Sequence, residues 1–449
     1  MKHQSICAAL ALGLLLNGCA SAPLRDGSSR LNAAVSAAGA GAPRLPLPGE
    51  ATLDSEWFTQ PMTLNYAVQA ALLNNPQVRA ELARLDGAQA ERVQAGLIRN
   101  PMASLMALRP EGGGRFELDY SLMQSLFDLL TRSRRIAVAD AAQAGIEADV
   151  LGHLIGFAQD TEAAYYQALA AQAMVRLQKE QLGLEQDSLT LLQRQARQGA
   201  LPDSAALEQE ATVSMRSHEL RDAESMLSQA RATLAGQLGL SSAKPLVLPD
   251  TMPPFDMPGL DEPALQALAR AHRPELEAAT AAVAQARAEK SLQTGSLRAT
   301  DPSLGPAGTR ESGGTELNGL AVQITVPIFD TGRARRALAD ANLAQAQFMA
   351  EAERRQVPLE VERALATLIA AMDAAHHADH HLRQQEQLQQ LALKTYQQGS
   401  TDYLRYRDAI RNRLASAMDQ LRAQQSLWAA RVDLERSTGI AATAPDFAR

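Results

Sequence analysis

The apolar positions of this chain follow two periods. Most of the chain reads as long helix rich in Ala and Gln. Between residues 116 and 122 the period drops to two: Phe116, Leu118, Tyr120 and Leu122 alternate with Glu117, Asp119 and Ser121. That alternation predicts a strand with one apolar and one polar face. A second stretch behaves alike, with Leu320, Val322, Ile324 and Val326 on one face and Ala321, Gln323 and Thr325 on the other.

The two stretches belong to two copies of one plan. "NNPQV" (74–78) returns as "HRPEL" (272–276), "AQAER" (88–92) as "ARAEK" (286–290), and "RPEGGGRFEL" (109–118) as "RESGGTEL" (310–317). "LFD" (126–128) returns as "IFD" (328–330), "RRIAVADA" (134–141) as "RRALADA" (335–341), and Gly199 as Gly399. The order is kept at a spacing of about 200 residues, the mark of a tandem duplication. Residues 62–240 form the first copy and 260–440 the second, with a linker at 241–259 and a tail at 441–449.

Each copy has the same grammar. A short helix leads to Pro76 or Pro274, where a proline suits a helix start. A helix of about 23 residues follows, then two strands around a Gly-rich turn (111–114 and 312–314). The incoming strand of the second copy (303–309) is broken by Pro306 and two glycines, so repeat position alone places it. Long helices are expected over 131–198 and 332–398, each roughly 100 Å at 1.5 Å per residue. Gly199 and Gly399 end them as C′ glycines. A returning helix of about 36 residues ends at Gly239 or Gly439, and together the two shorter helices match the long one in length. They can stack along it, with the strands at one end and the glycine turns at the other. The expected class is mainly α with a small β part.

Charge narrows the function. The 449 residues carry a formal net charge of −7, with no long basic run and few aromatics, which argues against nucleic acid as a partner. Alanine-rich helices suit long bundles better than a thick globular core. Both cysteines, Cys7 and Cys19, lie in the first twenty residues. Lys2 and His3 precede an apolar run over 6–16, too short to span a bilayer but suited to a signal peptide. The run ends in Leu16-Asn17-Gly18-Cys19, which resembles a bacterial lipoprotein signal. That resemblance implies cleavage of residues 1–18, a lipid such as palmitate on Cys19, and, with Ala20 next, the outer membrane. The covalent lipid is then the one non-protein group, and no thiol remains for catalysis or metal. Residues 19–61, rich in Ala, Gly, Pro and Ser, read as a tether. No later stretch approaches 18 uncharged apolar residues.

The strands give the amphipathic signal a purpose. Four strands of about 10 residues suit a tilted membrane crossing, but the smallest membrane barrels need about eight strands. Three chains sharing one barrel supply twelve. Phe116, Leu118, Tyr120 and Leu122 then face lipid, and Glu117, Asp119 and Ser121 a water-filled lumen. A small soluble sheet packed on the bundle is the alternative.

No enzyme constellation is present: no phosphate loop, no G-x-S-x-G, no H-E-x-x-H and no cysteine to pair with histidine. "HHADHH" gathers His376, His377, His380 and His381. The pairs 376/380 and 377/381 have the i, i+4 spacing that can chelate Zn²⁺ or Cu²⁺, and Asp373 and Asp379 could add oxygen. A solvated helix face is the competing reading.

The doubled plan, the "NNP" and "NP" landmarks, the "PIFD-x-GR" start of the second long helix (327–333) and the glycine turns followed by Asp-containing segments make the chain resemble the TolC-type outer-membrane efflux lipoproteins. The resemblance spans about residues 62–440. It implies a homotrimer in the outer membrane, with a shared twelve-stranded β-barrel on a long periplasmic α-barrel. It also implies a tip that opens when a periplasmic adaptor and an inner-membrane transporter engage it. The implied function is passive export of drugs or heavy-metal ions. Around the tip, Gly199, Asp203, Gly399, Asp402, Arg405 and Asp408 match the family's turn regions. Asp408 falls on an acidic position, Arg405 where the family commonly has aspartate, and Pro202-Asp203-Ser204 reads equally as a plain turn and helix cap. A duct for protein secretion and a tethered coiled-coil scaffold without a pore are the rival functions.

Overall fold

The structure is a computed structural model describing residues 61–243, 246–255, 261–294, 301–326 and 328–439. The signal segment, Cys19, the tether up to residue 60, Pro327 and the 441–449 tail lie outside these residues. Among the described residues the elements run α1 (Leu64–Asn74), α2 (Pro76–Gly96), β1 (Met102–Leu108), β2 (Glu117–Ser125), α3 (Phe127–Arg197), α4 (Asp203–Gln237), α5 (Glu262–His272), α6 (Pro274–Gln293), β3 (Ser303–Arg310), β4 (Glu316–Gln323), α7 (Arg333–Gln397) and α8 (Tyr403–Thr438). None of these helices is long and apolar enough to cross a membrane.

The long helix α3 starts at Phe127, earlier than the expected 131. Asp128 supplies an acid to the first turn, where the helix dipole favours negative charge, and the Thr131 hydroxyl donates back to the Phe127 carbonyl at 2.7 Å. Pro358 lies inside α7 without ending it. An interior proline removes one backbone bond, and Val357 and Val361, both essentially fully buried, hold the helix on either side of it.

The described residues form two compact units, and each draws on both sequence copies. The first contains Leu82–Val150 and Glu275–Ala352 and holds the sheet. Its four strands are antiparallel in the order β1-β2-β3-β4, so the central β2–β3 pair joins one copy to the other. The strands have seven to nine residues. β4 stops at Gln323, paired with Ser303 at the start of β3. Ile324 and Val326 therefore continue the apolar alternation outside the strand, because β3 offers them no partner.

The poor pattern of β3 has a physical cause. A Cβ at Gly305 would lie 1.8 Å from the Leu122 carbonyl oxygen, and one at Gly308 would lie 2.6 Å from the Tyr120 ring. The glycines that break the pattern are what let β3 approach β2.

The second unit contains Leu151–Pro274 and residues from Glu353 on, with the described residues up to Glu81. Its core gathers Met62, Ala71, Leu169, Leu234, Leu238 and Trp428. Tyr166 stacks on Trp428 with ring centroids 4.1 Å apart, and the Tyr165 hydroxyl donates to the Met62 carbonyl at 2.8 Å. Here the "NNP" landmark finds its reason. Asn74 Nδ2 donates to the Leu238 carbonyl at 2.8 Å, and Asn75 Nδ2 to those of Gly236 and Gln237 at 3.0 and 2.8 Å. The two amides satisfy the Gln237 and Leu238 carbonyls at the end of α4 and add a second bond to that of Gly236, which already accepts from the Gly239 N–H at 3.1 Å. Gly239 follows with φ +69°, and a Cβ there would meet the Asn74 oxygen at 2.9 Å. In the second copy, a Cβ at Gly439 would meet the His272 oxygen at the same 2.9 Å, while Arg273, in place of Asn75, is paired with Glu360 of α7.

Candidate functional site

Strand register fixes which side chains of the sheet share a face. Tyr120 pairs with Leu105 and Gly308, and Pro306 with Leu320. Leu118, Tyr120 and Leu122 therefore lie on one side with Leu105, Leu320 and Val322. Leu105 and Leu320 are 75% and 79% exposed, so no described residue covers the face at these positions. Phe116 falls just outside β2, exposed, with the Arg109 guanidinium 5.9 Å from its ring centroid.

The other face carries Glu117, Asp119 and Ser121. Thr309 donates to Asp119 at 2.7 Å, and the Ser104 and Ser121 hydroxyls share a 2.7 Å bond. Met106 and Leu317 also lie on this side, opposite Asp119 and Thr309. The apolar/polar division is strict from Glu117 to Leu122 and looser beyond, where Met123 falls on the polar side and Gln124 on the apolar side.

A charged cluster that the sequence did not suggest sits at the foot of the sheet. Arg99 Nε donates to Asp128 at 2.7 Å and its backbone N–H at 3.2 Å, while the same guanidinium lies 3.4 Å from Asp301. Ser125 donates to Asp301 at 2.9 Å. Burial pushes the Asp128 carboxyl up, but the Arg99 bonds and the Arg135 charge outweigh it and hold the group below the usual range. The "LFD"/"IFD" match marked the aspartate; in the second copy its counterpart Asp330 pairs with Arg335 at 2.8 Å.

The two glycine turns are built alike. Gly199 and Gly399 have φ +73° and +70°. Their N–H groups donate to Ala196 and Tyr396, and those of Ala200 and Ser400 to Gln195 and Thr395, all at 2.9 Å, which is the Schellman closure. Asp402 caps α8, accepting from the Arg405 N–H at 2.9 Å. Asp203 opens α4 after Pro202, which makes no side-chain cap bond. At the second turn Tyr396 stacks on Tyr406 with centroids 5.6 Å apart.

Arg405 and Asp408 are not partners within the chain. Asp408 lies 3.0 Å from Arg407 and 4.0 Å from Arg411. Arg411 itself grips Glu185 of α3 with two bonds, at 3.0 and 2.9 Å. Glu185 has no exposed side-chain surface and also accepts from Gln209 of α4 at 2.7 Å. This three-helix knot escaped the sequence reading because Glu185 and Arg411 are 226 residues apart and each looks like an ordinary helix charge.

The four histidines occupy exposed positions on α7. No group of three His, Cys, Asp or Glu side chains among the described residues could hold a metal ion as they stand. They form the two i, i+4 pairs 376/380 and 377/381, each on its own side of the helix, with Asp373 and Asp379 on the same stretch.

The chain is similar to several known proteins. Residues 265–440 match the family model described as outer membrane efflux protein. Protein CyaE of Bordetella pertussis (strain Tohama I) is 28% identical, over 71% of this chain and 71% of that protein. The outer membrane protein VceC from Vibrio cholerae superposes with TM-score 0.68 at 18% identity, covering 86% of this chain and 99% of that one. The outer-membrane channel OprN superposes with TM-score 0.66 at 22% identity, covering 87% and 92%. These structural likenesses are of fold. Residues 265–440 thus match the outer membrane efflux protein family model, and the chain shares its fold with the solved structures of VceC and OprN.

Proposed function

We propose that three copies of this chain form an outer-membrane channel-tunnel, anchored by lipid on Cys19, that serves as the passive exit duct of a tripartite efflux system. The open sheet supports this most directly. It has four strands, an outer strand on each side with one partner, and a bare apolar face. A membrane cannot tolerate unpaired strand edges, and closing β4 of one chain onto β1 of the next removes them. Three chains then give a twelve-stranded barrel with Leu118, Tyr120 and Leu122 toward lipid and Glu117, Asp119 and Ser121 toward the lumen.

The turns at Gly199 and Gly399, with Asp203, Asp402, Arg405 and Asp408, form the periplasmic mouth in this reading, and a periplasmic adaptor with an inner-membrane transporter supplies cargo and energy. Drugs or heavy-metal ions are the proposed cargo. The test is to purify the protein from outer membranes and record single-channel conductance in planar bilayers. Trimers that persist in detergent and conduct bear the reading out. Stable trimers without conductance favour the scaffold, and loss of a protein-secretion phenotype on deletion, with efflux intact, favours the secretion duct. Cys19→Ser should abolish fatty-acid labelling; unchanged labelling removes the lipid anchor.

A further inference from the structure

The sequence offers two equivalent histidine pairs on α7, and the structure separates them. His381 is committed: its Nδ1 lies 3.0 Å from the Ser416 hydroxyl on α8, and its Nε2 3.2 Å from the Gln385 amide. Asp379 is held by Arg383 at 2.6 Å. His376 and His380 are exposed, as is Asp373. At about 100° per residue, Asp373, His376 and His380 fall within an arc of about 60° on the helix. The matching stretch of α3, "RLQKEQ" (176–181), has no histidine, so the chemistry is peculiar to the second copy.

We propose that His376 and His380 form a chelating pair for a borderline divalent cation, Zn²⁺, Cu²⁺ or Ni²⁺, with Asp373 one turn away as a further oxygen donor and water filling the remaining positions. Residues four apart on a helix have Cβ atoms about 5–6 Å apart. That separation lets two imidazole nitrogens approach one metal at about 2.0–2.1 Å. Exposed side chains change rotamer in picoseconds to nanoseconds, so the pair closes on an arriving ion without rearranging the helix. The rings are already solvated, and no buried charge has to be compensated. The site stands on the helix face alone and does not depend on the duct reading.

The test is titration of the detergent-solubilised protein, purified without a histidine tag, with ZnCl₂ by calorimetry. Saturable binding with one ion per chain is expected, retained in H377A/H381A and lost in H376A/H380A. Cu²⁺ electron paramagnetic resonance should report two imidazole nitrogens in the wild type. Size exclusion checks that the variants remain assembled. No saturable binding to the wild type, unchanged binding in H376A/H380A, or equal loss in both variants would overturn the proposal.

Discussion

Glu162 of α3 and Glu435 of α8 face each other in the interior, 2% and 0% exposed, with the Arg431 guanidinium acting on both. Arg431 holds Glu435 at 2.8 Å and lies 5.1 Å from the centre of the Trp428 ring. Glu162 Oε1 and Glu435 Oε2 have no hydrogen-bond partner. Two buried carboxylates and one cation leave an excess negative charge, which a shared proton removes.

This pair predicts the pH dependence of stability. Burial, then the Glu435 charge, pushes the Glu162 carboxyl up to about 9 from an ordinary 4.5. The folded state therefore binds a proton that the unfolded state has released across that window. The group's stabilising contribution is complete below about pH 4.5 and is lost as pH rises toward about 9. Glu162→Gln imitates the protonated form, so its melting temperature should fall less than that of wild type between about pH 5 and about pH 9. Thermal melts in detergent decide it, and parallel curves for the two proteins would refute the shared proton.

The sheet predicts a face-dependent response to charge. An arginine on the lipid side near mid-membrane costs about 2–4 kcal/mol, repeated in each copy of an assembly. Leu105→Arg should sharply reduce the yield of membrane oligomers, while Asp119→Arg should assemble and shift ion selectivity. Native gels and reversal potentials distinguish the two, and identical behaviour would reverse the inside/outside assignment.

The glycines that end α3 and α4 should differ in tolerance. Nothing lies within 4 Å of a Cβ at Gly199, so Gly199→Ala meets only the left-handed backbone penalty, about 1–2 kcal/mol. Gly239→Ala adds a collision with Asn74 at 2.9 Å, worth a further 1–3 kcal/mol or about that. Chemical denaturation should rank Gly239→Ala well below Gly199→Ala; equal losses would mean the Asn74 contact yields.

The Glu185–Arg411 knot should behave as a unit. Removing one partner of a buried pair costs about 3–5 kcal/mol because the other charge is stranded, with Arg411→Ala toward the lower end since Arg411 is partly exposed. Glu185→Met/Arg411→Met should recover much of that loss. Asp408→Ala should change stability little, because Asp408 is 54% exposed and exposed pairs contribute about 0–1 kcal/mol. A double-mutant cycle on denaturation midpoints measures the coupling, and additive losses would show that the two residues act separately.

What the sequence made legible was local. Phe116 to Leu122 announce their strand because one short stretch holds the whole alternation, and Gly199 and Gly399 announce helix ends because a left-handed residue is needed there. β3 was hidden because its glycines answer Leu122 and Tyr120 in another copy. Pro358 gives no local sign that buried valines will carry a helix through it. Arg99, Asp301, Glu185 and Arg411 stayed invisible as a group: each is an unremarked charge until tertiary structure brings its partner. Within the chain Asp408 lies beside Arg407 and Arg411, contacts that follow from the turn of α8.

The joining of β2 to β3 also sets an order of events in time. Thr309 and Asp119, bonded across that pair, are 190 residues apart. When the first copy has been synthesised, it offers only the β1–β2 hairpin, and an isolated two-stranded hairpin is marginal in water at best. Pairings of such long range form late, after local helices. The adhesive apolar face therefore cannot be completed by a half-made chain. It comes into being only once the second copy has arrived, which shortens the period during which an unfinished molecule can stick to its neighbours.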